Sequence, residues 1–227
     1  MTISEAHLAF KFGLDKIDSL NYPNMLPEEI DLLLNQGYKR WVKQRYGYTN
    51  PKRESFEETQ KRTEDLKNIV KTAVLTPQTY SIDNIDTNSR FIILPTDHWF
   101  NVQERVKLSY VCGGNTLEEY VQVRPIQHVE FDKVISDAFK RPDTTKVLRL
   151  MDNGKVEIIY ANGTSIIEYR LRYIKQPVTV SLATGITFET SEHTHQEIVD
   201  EAIKIALEDI EAKRNNTFTP LIDNTKE

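Results

Sequence analysis

Apolar positions recur at two spacings along the chain, and the spacing changes near residue 76. Before that point it is helical. In "NMLPEEIDLLLNQGYKRWVKQRYG" the residues Ile30, Leu33, Leu34, Tyr38, Trp41 and Val42 fall on one face. Pro27 suits the first turn, Glu28 and Glu29 favour its positive end, and Gly47 supplies a stop. "SFEETQKRTEDLKNIVKTAV" predicts a second helix. Ser55 and Glu58 form its capping box, and Phe56, Thr59, Leu66, Ile69, Val70 and Ala73 share its face. Residues Glu5 to Ser19 predict a weaker helix with Leu8 and Phe12 on its apolar side.

Beyond residue 76 the period is two. "RFIILP" is a short apolar run. "RVKLSYVC" alternates strictly, with Val106, Leu108, Tyr110 and Cys112 on one face, which predicts a core position for Cys112. "GGN" offers the turn and "EEYVQVRP" the partner strand. "HVEFDKVISDAF" predicts a short helix. "KVLRLM", "KVEIIY" and "SIIEYRLRYIK", separated by the turns Asp152-Asn153-Gly154 and Asn162-Gly163, predict a three-stranded meander. The closing helix runs from Glu197 to Lys213, with Thr194 and Glu197 as a capping box. The fold class is therefore α+β: N-terminal helices packed with a C-terminal helix, and an antiparallel β-rich middle. The parts are 1–75 (helical), 76–190 (β-rich with one short helix), 191–214 (the returning helix) and 215–227 (an extended tail).

Hydrophobic residues make up 39% and charged residues 28%, an ordinary globular composition. No apolar run is long enough to span a bilayer, and the charged N-terminus lacks the apolar core of a secretory signal. Cys112 is the only cysteine, which excludes a disulfide framework and a cysteine-based zinc site. The net charge of −5 argues against a protein that grips DNA by its phosphates.

Five groups of residues could carry chemistry. His193 and His195 flank Thr194 at a helix start. The H-E-x-x-H spacing of a helical zinc site is absent and no third ligand is nominated, so a helix boundary is the better reading. "DNIDTNSR" would need glycine and glutamate where an EF-hand places them; counting from Asp83, Asn88 and Leu94 stand there. Cys112 with His98 or His128 lacks a nucleophile signature, and Gly113-Gly114 reads as a turn rather than a phosphate loop. The basic cluster Lys39, Arg40, Lys43, Arg45, Lys52 and Arg53 could meet an acidic partner or nucleic acid, although the helix dipole already favours cations at four of these positions. The residues thus nominate no catalytic group, metal or cofactor.

Several phrases together carry a resemblance. "LPEEIDLLLNQGYKRWVKQRYG" with "FEETQKRTEDLKNIV" resembles the opening of a family of virion structural proteins in crAss-like tailed bacteriophages. "VRPIQHVEFDKVISDAFKRP" and "VLRL" resemble its middle. "YRLRYIKQPVTVSL" and "HTHQEIVDEAIKIALEDIE" resemble its end. Together they span most of residues 26–214. The resemblance implies a head–tail connector, or ring, protein that is not an enzyme. Such a protein is a homo-oligomer, dodecameric under the portal, located in the neck or tail of the virion and made in the host cytoplasm. Its partners are the portal and neighbouring ring or tail proteins, with no membrane. Double-stranded DNA passes its lumen without sequence-specific binding. A tail-tube or stopper component is the alternative within that class; a metal-dependent hydrolase using His193 and His195 is the alternative outside it. In a connector, the apolar anchor Phe218, Pro220 and Leu221 of the tail is expected to dock on a neighbour. Lys39, Arg40 and Lys43 are the other candidate partner contacts.

Overall fold

A computed structural model describes residues 1–17, 25–47, 57–79, 85–152 and 154–209. Two compact units emerge: Met1–Ile69 with Pro177–Glu227, and Val70–Gln176.

The first unit is built on α1 (Ile3–Ile17), α2 (Pro27–Tyr46), the short α3 (Gln60–Leu66) and α5 (His195–Asp209). α2 buries the face its spacing predicts, with Pro27 in its first turn and Gly47 as its C-cap. Helix α5 packs on both α1 and α2. The approach to α2 is close: a Cβ on Gly37 would lie 2.7 Å from the backbone nitrogen of Ala202. The buried face of α1 differs from expectation. Ile3, Ala6, Phe10 and Leu14 are inside, while Leu8 and Phe12 are outside. Both sets have helical spacing, and a periodic pattern alone does not say which stripe meets a neighbour.

Helix α3 is shorter than its pattern implies. Its N-cap is Thr59 and it ends at Leu66. A 3-10 turn over Lys67–Ile69 leads into strand β1 (Val70–Leu75). The β-branched Val70, Thr72 and Val74 pair along β7 (Thr164–Lys175) instead of extending the helix. Ser55 and Phe56 lie outside the described residues. The segment 177–190, expected in the β-rich part, belongs to the helical unit. Asn35 on α2 receives the Val180 N–H on its Oδ1 (2.8 Å) and donates from Nδ2 to the Val180 carbonyl (2.9 Å). The Asp31 carboxylate accepts the Leu182 N–H at 3.0 Å and binds His7 Nε2 at 2.7 Å.

The second unit is a seven-stranded, mostly antiparallel sheet in the order β1-β7-β3-β4-β5-β6-β2. The remaining strands are β2 (Ser89–Ile93), β3 (His98–Cys112), β4 (Asn115–Pro125), β5 (Lys146–Asp152) and β6 (Lys155–Ile159). Gln78 and Phe91 exchange backbone bonds of 2.8 and 2.9 Å, tying the chain beyond β1 back to β2. The sheet curls round one core that includes Ile92, Val106, Leu108, Val121, Val156 and Leu171. The short helix α4 (Phe131–Ser136) lies between β4 and β5. Its Val134 packs on Leu148, Leu150 and Ile159, which face away from that core. Strands β5 and β6 form the expected hairpin. The predicted meander stops there, because β7 pairs with β1 and β3, not with β6. Asn162-Gly163 makes a turn, with the Thr164 N–H on the Ala161 carbonyl, but the strands it joins are not neighbours. A turn signal fixes a reversal of the chain; the pairing is decided by the sheet.

Candidate interaction surfaces

Most of the polar groups singled out in the helical unit hold that unit together. The two histidine rings diverge. His193 Nε2 meets Asp65 Oδ1 at 2.8 Å, and His195 Nε2 meets the Thr190 carbonyl at 3.0 Å. His195 is buried beside Phe188, and that burial lowers its pKa. Among the described residues no group of three or more His, Cys, Asp or Glu side chains is arranged to hold a metal. The capping box at Thr194 does not form. The Thr194 hydroxyl donates back to the Ser191 carbonyl at 2.7 Å, and Glu197 accepts from Trp41 Nε1 at 3.0 Å and from Arg45.

Arg45 is buried and also lies 3.3 Å from Asp65. It therefore links α2, α3 and α5. Arg40 is engaged in the same way. Its Nε is 2.9 Å from buried Glu201 and its Nη1 is 2.9 Å from Glu208. Lys39 and Lys43 are exposed on α2. Lys52 and Arg53 lie outside the described residues, as do Phe218, Pro220, Leu221, Asp83 and the rest of the tail.

The sheet unit contains an open cleft of about 590 Å³ bordered by Asn101, Glu104, Tyr120, Val123 and Arg149. Glu104 is bonded to Arg149 Nη1 and to Asn101 Nδ2, and Asn101 is bonded in turn to His98. Burial raises the Glu104 pKa against the pull of Arg149, and burial with the Glu104 charge pushes the Tyr169 phenol upward. A mutually neutralised pair leaves little free charge for a ligand, and such pairs are found as structural elements. His128 binds the Met151 carbonyl at 2.8 Å. With His98 on Asn101, neither ring is committed to Cys112.

Two exposed features of this unit fit a macromolecular contact better. The first is the outer end of the β3–β4 hairpin. Gly113 (φ 59°) and Gly114 (φ 83°) make the two-residue turn, and Cys112 pairs with Asn115 across it. The alternation of β3 is as read, but Cys112 is exposed rather than buried. The core ends at Leu108 on β3 and Val121 on β4, and every residue from 111 to 120 is exposed. The strand therefore outruns the surface that would cover it. Only Gln122–Pro125 of β4 pair with β5, so within the sheet Asn115–Val121 has β3 alone beside it. Val111, Leu117 and Tyr120 stand on this overhang with Glu118 and Glu119.

The second feature is the excursion between β4 and β5. It carries Val129 and Phe139, which are 93% and 89% exposed, the highest values among the exposed large apolar side chains described. Phe139 sits on a turn fixed from several directions. Asp137 Oδ1 accepts the Phe139 N–H at 2.9 Å, the Asp137 carbonyl accepts the N–H groups of Lys140 and Arg141, and Lys146 Nζ donates to the Phe139 carbonyl at 2.6 Å. The Phe139 N–H, with Lys140, holds Asp137 below the usual carboxylate range. Asp143 closes the loop. Burial pulls its pKa up, but hydrogen bonds from Thr145 and Lys146 outweigh that and hold it at about 2. Sequence reading missed both features, because alternation and loop composition report faces and turns, not whether a face is covered.

Comparison with known proteins supplies the context. The profile of a family described as phage tail ring protein 3/4 matches residues 1–217. The chain is 22% identical over 229 residues to Ring protein 4/5 of Bacteroides phage crAss001, covering 91% of this chain and 92% of that protein. It is 25% identical over 166 residues to Ring protein 3 of the same phage, covering 67% of this chain and 71% of that one.

Proposed function

The chain belongs to the phage tail ring protein 3/4 family, and from that premise we propose that it is a structural component of a head–tail connector ring in the virion. The ring sits beneath the portal, is dodecameric, and continues the channel through which double-stranded DNA passes without sequence-specific contact. The observation that carries this reading is the extent of the family match, which takes in both compact units rather than one. The net charge of −5 suits a channel component that does not grip DNA. The chain works by assembly and not by catalysis. The segment Phe218, Pro220 and Leu221 docks on the portal or the adjacent subunit, and Lys39 and Lys43 on α2 meet an acidic neighbour. With the Arg40 guanidinium held by Glu201 and Glu208, its part in that contact is to position α2.

The word "tail" in the family description favours one second reading, a ring further from the portal, at stopper or tail-tube level. Mass spectrometry of purified particles tests the main reading. This polypeptide should be present in near-equal copy number to the portal, and its absence from particles overturns the proposal. Localisation of the same chain in particle reconstructions separates the two levels.

A further inference from the structure

We propose that neighbouring copies in the ring join through the sheet unit, the Phe139 turn of one copy docking on the β3–β4 overhang of the next. This rests on the ring reading above. A ring that closes by rotation needs two different, complementary patches on each copy, because head-to-tail contacts are heterologous. The sheet unit has two such patches, and in a single copy both are exposed. One is a projecting aromatic on a turn already fixed in shape. The other is the outer end of the β3–β4 hairpin, where β7 pairs with β3 only as far as Tyr110 and Arg170 lies over the Tyr120 ring at 4.8 Å, while Val111 and Leu117 stay exposed.

Their charges are also complementary. Beside Phe139 stand Lys140 and Arg141, both exposed, while the carboxylates of Asp137 and Asp143 are turned onto backbone N–H groups of the loop. Beside Leu117 stand Glu118 and Glu119, both exposed. Lys140 is 3.1 Å from Asp137 and Glu118 is 2.6 Å from Lys107, so the complementary pair is Arg141 beside the apolar anchor and Glu119 beside the apolar strip, opposite charges of the kind that fix register and orientation between subunits.

The preorganised turn favours a partner too. A buried aromatic anchor contributes most when little ordering is needed at the moment of docking, and here the loop bonds have done that ordering beforehand. The receiving hairpin gains in return. Cys112 and Asn115 flank a two-residue turn and form a hydrogen-bonded pair, so the N–H groups of Asn115, Leu117, Glu119 and Val121 face β3. Those of Thr116, Glu118 and Tyr120 face away from it, toward the side that β5 does not reach. Beyond Tyr110 and Leu117 the hairpin is two strands alone, which is marginal in water, and the open edge of β4 invites pairing. A subunit seated there removes both liabilities.

Cys112 makes the test direct, since it is the only cysteine and stands at the tip of the overhang. Ala138, exposed beside Phe139, can be changed to cysteine. Particles carrying Ala138→Cys are treated with a short bismaleimide, and linked peptides are mapped by mass spectrometry. The expected result is a 112–138 link between copies and a ladder of covalent oligomers, which disappears when Cys112→Ser is added. A dimer alone would indicate a self-complementary contact and overturn the proposal. So would a link from residue 138 to a different virion protein, or no 112–138 link at wild-type copy number. Phe139→Ala gives a second reading that needs no added cysteine. Its incorporation should fall at least about tenfold, and incorporation at the wild-type level overturns the docking. If the wild-type chain is itself missing from particles, it is the ring reading that fails.

Discussion

Arg45 and Arg149 are both guanidiniums withdrawn from solvent, one in each unit, and their surroundings differ. Arg45 reaches Asp65 on α3 and Glu197 on α5, and lies over the Trp41 ring at 5.5 Å. Its partners come from distant parts of the chain, so the contact fixes how helices meet. Arg149 is bonded to Glu104, with its Nε unpartnered, inside a sheet already held by backbone ladders. The helical unit thus depends on particular polar residues for its packing, and those residues are engaged within it. The sheet unit depends on strand pairing for its shape. It leaves Val111, Leu117, Val129 and Phe139 in water, as the helical unit leaves Leu8, Phe12 and Leu32, but gathers them at one hairpin end and one excursion. Polar residues in the first unit and apolar residues in the second therefore stand where composition alone would not put them. The first case is a matter of stability, the second of assembly.

The largest expected effect breaks the first half of that contrast. Arg45→Met removes the guanidinium 3.3 Å from the fully buried Asp65, which keeps its contact with His193. Loss of one partner from a buried pair costs about 3–5 kcal/mol. The chain has two tryptophans, Trp41 in the helical unit and Trp99 in the sheet unit. With Trp99→Phe as background, urea unfolding followed by Trp41 fluorescence should show this loss. A change below about 1 kcal/mol would mean that the network is decorative.

Acidification sharpens the contrast without mutation. His195 has a lowered folded-state pKa, so below the unfolded value of about 6.5 the unfolded chain binds a proton that the folded unit resists. Stability of the helical unit should therefore begin to fall as pH drops through that value, and His195→Gln should remove this component. Asp143 has the opposite linkage. Its folded pKa of about 2 lies below the unfolded value of about 3.9, so its contribution to the sheet unit persists above about pH 4 and is lost only as pH falls toward 2. Single-tryptophan variants should resolve the two ranges. A shared onset near pH 4 in both units would remove His195 from the account.

How much of this was legible in the sequence depends on which question each residue answers. α2 was readable in full, because its apolar stripe is wide and its caps agree with it. The two glycines at 113–114 fixed a hairpin, since both adopt positive φ. The helix expected through residue 74 failed at Ile69-Val70, where helical spacing and β-branched composition disagreed and pairing with β7 decided the outcome. α1 was recognised as a helix but with the wrong face. Cys112 was placed on the right face of the right strand and then given a cover that does not exist. In the last two cases the local period was sound, and what was lacking was the position of a neighbour that local pattern does not encode. The network round Arg45 was invisible for the same reason: three of its members are separated in the chain by more than a hundred residues from the others.

The smallest expected effect tests the second half of the contrast. Leu117 is 39% exposed on the overhang and touches no described core cluster. Leu117→Thr keeps a residue suited to a strand and removes most of the apolar surface. In the isolated chain its effect on stability should stay within about 0.5 kcal/mol, the range of surface substitutions. Arg45→Met should instead lower stability strongly while leaving the hairpin and its apolar strip intact. If Leu117→Thr destabilises the isolated chain by more than about 1 kcal/mol, the overhang is part of the monomer's fold, and its exposed side chains lose their standing as an assembly surface. If stability is unchanged and incorporation into particles falls, the division holds: the same β3–β4 hairpin is structural up to Leu108 and Val121 and is kept for a partner beyond them.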